Sequence, residues 1–117
     1  MPSQLVDRLD DVAGRGLRAV ARYERDGITV TYERDDVSEK ATVIDRIHDE
    51  LVLQELGREY LERLFQVGRW HCTMHRFEEA VCIHYTHGEF SGTFVSVDSG
   101  TDVDLDRVAE ICHEYTE

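Results

Sequence analysis

The sequence predicts an α+β domain: a single antiparallel sheet of about four strands with helices packed on it, in the order α-β-α(α)-β-β-β-α. Three observations carry that expectation. Residues 28–34 alternate Ile28, Val30 and Tyr32 against Thr29, Thr31 and Glu33, the period of a half-buried strand. Residues 69–98 hold three β-rich runs separated by short turns. Residues 3–25, 38–67 and 102–116 carry apolar side chains at helical spacing.

Leu5, Leu9, Val12, Ala13, Val20 and Tyr23 fall on one face of a first helix over 3–25. Ser3 is its expected N-cap, and Asp26-Gly27 is its stop. Gly14 and Gly16 weaken its middle and mark a bend or a split. The stretch over 38–67 opens at Asp36 or Ser38. Val43, Ile47 and Leu51 make one apolar stripe; Leu56, Tyr60, Leu61, Leu64 and Phe65 make a second. The phase slips near Leu51-Val52-Leu53, which predicts two helices or one kinked helix, with Gly57 near the irregularity and Gly68 as the C-cap. Asp102 or Asp104 caps the last helix, whose buried face is Leu105, Val108, Ala109, Ile111, Cys112 and Tyr115.

The strands over 69–98 turn at Glu78-Glu79 and at His87-Gly88-Glu89. A two-residue turn at Glu78-Glu79 sets His75 opposite Cys82 and Thr73 opposite His84. A four-residue loop sets His71 opposite His84 instead. Either even-length loop sorts the side chains the same way. Trp70, Cys72, Met74, Val81, Ile83 and Tyr85 form a core face. His71, His75, Cys82 and His84 share the other face.

Three imidazoles and a thiol together are ligands for zinc or copper. Residues four apart on a strand lie about 13 Å apart, so His71 and His75 cannot share one ion. Cys82, His84 and the histidine opposite make the compact set. The same face, with Thr73, Ala80, Thr86, Val95 and Val97, also suits a two-fold dimer interface. A charge at Val95 or Cys82 is expected to break such a dimer.

The chain of 117 residues has 25 acidic and 13 basic side chains, a formal charge of -12, and Lys40 is its only lysine. Repulsion of this size becomes tolerable where salt screens it. It also disfavours nucleic acid and anionic lipid as partners. Length and composition predict one domain over 1–117. Cys72, Cys82 and Cys112 contain no CxxC pair, which fits a reducing compartment. No leader or membrane-spanning pattern is read in the sequence, and a cytoplasmic location is expected.

Arg15, Arg18, Arg22 and Arg25 form a basic stripe along the expected first helix, a place for an acidic partner or a phosphate. Asp98, Asp102, Asp104 and Asp106 fit helix capping and an acidic surface better than a calcium loop, because Val103 and Leu105 interrupt the ligand run. The phosphate-loop, dinucleotide and nucleophile-elbow signatures are missing, so no catalytic residue is assigned.

The stretch LQELGREYLERLFQVGRWHCTMHRFEEAVCIHYTHGEFSGTFVSVD, residues 53–98, with YERDGITVTYERDDV before it, resembles a family of small uncharacterised haloarchaeal proteins. The resemblance implies a haloarchaeal, salt-loaded cytoplasm and imports no activity, cofactor or site residue. The expected function is a non-enzymatic protein-interaction or regulatory module, acting as a homodimer or with a protein partner. The alternative is a metal- or small-ligand-binding protein using His71, His75, Cys82 and His84.

Overall fold

A computed structural model describes residues 3–37, 44–88, 90–100 and 102–115, the side chains at 3, 44 and 45 excepted. Its elements are α1 (Ser3–Ala13), a 3-10 turn (Gly14–Gly16), β1 (Leu17–Glu24), β2 (Gly27–Glu33), α2 (Ile44–Glu55), α3 (Arg58–Phe65), β3 (Cys72–Arg76), β4 (Ala80–Gly88), β5 (Ser91–Asp98) and α4 (Leu105–Glu114). The strands form one antiparallel sheet in the order β2-β1-β5-β4-β3. The α+β class holds, with five strands in place of about four.

The extra strand is the correction. The expected first helix stops at Ala13, and residues 17–24 are β1. Gly14 takes a left-handed φ of 56°, and the buried Gly16 completes the turn out of the helix. One irregularity explains why β1 reads as helix. Leu17 pairs with Val97 and Ala19 with Ser96, so two residues of β1 stand against one of β5. Such a bulge puts Leu17 and Val20 on the same side of the sheet at odd spacing. Against β2 the consecutive Val20 and Ala21 face Tyr32 and Val30, so the extra residue there is Thr31 of β2 and β1 itself stays regular. With Ala21 and Tyr23 buried on the opposite face, the strand shows apolar residues three apart rather than two.

Helices α1 and α4 lie side by side on one face of the sheet. Leu5, Leu9, Val108, Ile111 and Cys112 pack there onto Leu17, Val20, Val81, Ile83, Val95 and Val97. Each such large apolar side chain stabilises the fold by roughly 1.5–3 kcal/mol. Arg8 reaches Glu114 at 3.3 Å and ties the two helices on the outside. Asp104 is the N-cap of α4; its carboxylate accepts from the Arg107 amide at 3.1 Å.

The other face is covered by α2, which crosses β2 and buries Leu51. The expected break after Leu51 falls at Leu56-Gly57, between α2 and α3. Gln66, not Gly68, takes the left-handed conformation that closes α3. Ser38, Val43 and the side chain of Ser3, the expected cap of α1, lie outside what is described.

Asp98 anchors the far end of the sheet. Arg34 gives it two hydrogen bonds, at 2.8 and 3.0 Å, and also grips Asp36 and the Arg15 carbonyl. Arg34 beside it, ahead of burial, sets the balance and holds the Asp98 carboxyl below its ordinary range.

Gly92 is required by space. A Cβ there would stand 2.3 Å from the Tyr85 carbonyl and 2.8 Å from the Tyr23 ring.

Candidate functional site

The β3–β4 hairpin adopts the two-residue turn. His75 pairs with Cys82, Thr73 with His84 and Cys72 with Tyr85. From Cys72 to Tyr85 the faces are those the alternation predicts. Before Cys72 they are not. The Trp70 indole donates to Thr73 Oγ1 at 2.9 Å on the polar side, and the His71 ring stacks on Tyr85 on the core side. The chain has not yet entered the pleat at these residues, so strand alternation does not apply to them.

The four expected metal ligands are thereby divided. His84 is 2% exposed. Its Nε2 meets the Tyr23 hydroxyl, and its Nδ1 meets Gln54 Oε1 of α2. Burial, with Arg58 and the His75 and His87 rings nearby, pushes its pKa down to about 4. The ring is therefore neutral at pH 7, and it joins β4 to β1 and α2. His71 belongs to the opposite face. His75 is exposed and stacks on Phe77; Cys82 is half-buried and donates to Ser96 Oγ at 3.7 Å. Among the described residues, no three His, Cys, Asp or Glu side chains are gathered in a way that could hold a metal ion.

The arginine stripe is also divided, because its helix does not exist. Arg15 sits in the 3-10 turn. Arg18 turns to Ser96 Oγ at 3.2 Å and to Asp98 at 3.6 Å. Arg22 pairs along the strand with Thr93, and Arg25 lies 4.5 Å over the Phe90 ring.

The expected dimer face is overturned in part. Val95 is 0% exposed, and Val97 is buried beside it in the core under α1 and α4. They face away from Cys82 and His84. Neither is available to a second chain.

An exposed apolar surface lies elsewhere. Leu53, Leu56, Tyr60, Leu64, Phe65, Val67, Met74 and Phe77 are the exposed large hydrophobics among the described residues, and all fall between 53 and 77. Leu56, in the turn before α3, and Tyr60 and Leu64 on α3 recur every four residues, at 71%, 61% and 58% exposure. No side chain of α3 is buried. In the sequence Leu56, Tyr60 and Leu64, with Leu61 and Phe65, read as a second apolar stripe of the 38–67 stretch. A second signal marks it: residues 53–77 hold Arg58, Arg63, Arg69 and Arg76 against Glu55, Glu59 and Glu62, a net of +1, so the other 92 residues carry -13.

Beside this surface, β3 is an edge strand of the sheet. Between α3 and the start of β3 runs a cleft of about 510 Å³ bordered by Arg58, Glu62, Arg69, Trp70, His71 and Phe90. Its walls are held by the Glu62 carboxylate, which accepts from the Trp70 amide at 2.7 Å.

Three solved structures share this architecture. A Roadblock/LC7 domain from Streptomyces avermitilis aligns at TM-score 0.63 and 17% identity, over 96% of this chain and 85% of that one. MglB, in a structure described as having a tetrameric arrangement, aligns at TM-score 0.64 and 18% identity, over 96% and 90%. MglC from Myxococcus xanthus aligns at TM-score 0.52 and 12% identity, over 94% and 91%. The fold is Roadblock/LC7-like. No curated protein matches the chain. A family model described as a domain of unknown function, DUF7522, matches residues 3–117, and the chain belongs to that family.

Proposed function

We propose that the chain is a non-enzymatic protein-interaction or regulatory module that works as a homodimer. The cytoplasm of a haloarchaeon is the setting that its acidic, lysine-poor surface fits. One observation carries the reading: the exposed large apolar side chains and the charge-balanced stretch of the sequence coincide at residues 53–77. A chain at -12 repels its own copies over most of its surface. It approaches a partner where charge is balanced and apolar area is open, and β3 there is the edge strand of the sheet. The tetrameric arrangement named for MglB lends support from a protein of the same fold.

The test is sedimentation equilibrium in high salt. A homodimer is expected for the unaltered chain. A folded monomer is expected for the double variant Leu56→Glu, Leu64→Glu. A chain that stays monomeric across the accessible concentration range sinks the homodimer. A double variant that stays dimeric moves the interface off this surface.

A further inference from the structure

We propose that His75 and Cys82 together bind copper(I), as a two-coordinate site on the polar face of the β3–β4 hairpin. The two residues are direct cross-strand neighbours. The Phe77 amide donates to the Ala80 carbonyl at the hairpin end, so counting back two residues makes His75 and Cys82 a hydrogen-bonded pair as well. Such pairs have Cα atoms about 5.5 Å apart, with both side chains on one face. A sulfur and a ring nitrogen held by one ion stand about 4 Å apart, a separation within reach of two side chains on one face at that backbone spacing.

The rest of the molecule narrows the site to these two. His84 has both ring nitrogens engaged, by Tyr23 and Gln54. His71 lies against Tyr85 on the other face. Cys72 packs against the core and Cys112 is buried in it; burial raises both thiols, Cys112 to about 12. Cys82 is the cysteine on the polar face, beside an exposed imidazole.

The donor set chooses the ion. One thiolate and one imidazole leave zinc's tetrahedron half empty. Copper(I) is soft, prefers sulfur, and accepts two ligands in line. On binding, the Cys82 thiol gives its proton to water and the sulfur bonds to copper, with no change in oxidation state. Ser96 can support the thiolate. Its oxygen accepts from Arg18 Nε at 3.2 Å and now accepts from the thiol, so its own O–H is left to turn toward the sulfur once the thiol proton has gone.

The test is an anaerobic titration of the full chain with copper(I), buffered by a chromophoric copper(I) chelator. One equivalent per chain is expected. Cys82→Ser and His75→Gln are each expected to weaken binding by roughly tenfold or more. Cys72→Ser and His84→Gln are expected to leave it unchanged, with circular dichroism confirming that every variant is folded. X-ray absorption is expected to show one sulfur and one nitrogen on copper. No uptake, uptake indifferent to Cys82→Ser, or a copper bound by three or four protein ligands overturns the site.

Discussion

Helices α1 and α3 are similarly amphipathic, yet one buries its apolar face and the other exposes it. On α1, Leu9 is 0% exposed and lies against the sheet with α4. On α3, no side chain is buried, and Tyr60 and Leu64, with Leu56 just before the helix, are exposed. Amphipathic periodicity states that a helix has something to cover. It does not state whether the cover is in the same chain. The surrounding charge separates the two cases. Apolar residues of α1 alternate with Asp7, Asp10 and Asp11, whereas the 53–77 stretch has a net charge of +1.

The largest expected effect is on the buried side. Leu9→Ala should cost about 2–5 kcal/mol in chemical denaturation, because it opens a cavity beneath α1. Its counterpart Leu64→Ala should change monomer stability by no more than about 0.5 kcal/mol. A comparable loss at Leu64 in the monomer would remove the contrast.

Next in size is a pH effect under α2. His84 titrates near 4 in the folded chain and near 6.5 when unfolded. The unfolded state therefore binds the extra proton between those values, and stability falls as pH drops from 6.5 to 4. The loss for this group is roughly 3 kcal/mol. His87, also pushed down to about 4 chiefly by burial, adds to it. In His84→Gln, the slope of stability against pH over this window should shrink by about one proton. An unchanged slope would mean that the imidazole is not buried neutral.

Gly92→Ala tests the centre of the sheet. The added methyl meets backbone and the Tyr23 ring, and a cost of about 1–3 kcal/mol is expected from thermal unfolding. The smallest effect on folding belongs to Leu56→Glu. It should leave monomer stability within about 0.5 kcal/mol while weakening self-association measured by sedimentation.

Much of this was legible in the sequence. The faces of the hairpin were legible from Cys72 onward, since either even loop sorts the side chains alike; the choice between a two- and a four-residue loop was not, and the structure takes the two-residue turn. The last helix was announced by Asp102 or Asp104 as its cap, and Asp104 is the one that caps it. The β1 strand was not legible. Its bulge between Leu17 and Ala19 breaks the period of two, and burial on both faces removes the polar half of the alternation. Gly14 and Gly16 did mark the change of structure, but a bend and a helix end look alike from glycine alone. At the candidate metal face, His75 and Cys82 shared a face in the sequence, and the two-residue turn makes them direct partners. The loss of His71 and His84 depended on where Tyr85, Tyr23 and Gln54 lie, and these contacts join distant parts of the chain.

Trp70 is the only tryptophan, and it stands where α3 meets β3, with its amide on Glu62 and its indole on Thr73. Its emission therefore reports on the exposed-helix side of the molecule and is blind to the α1/α4 core. A fluorescence melt and a circular-dichroism melt sample different parts of the structure. Should α3 peel away before the sheet gives way, the fluorescence midpoint will come first, and the gap between the two curves will measure how independently that docking surface unfolds.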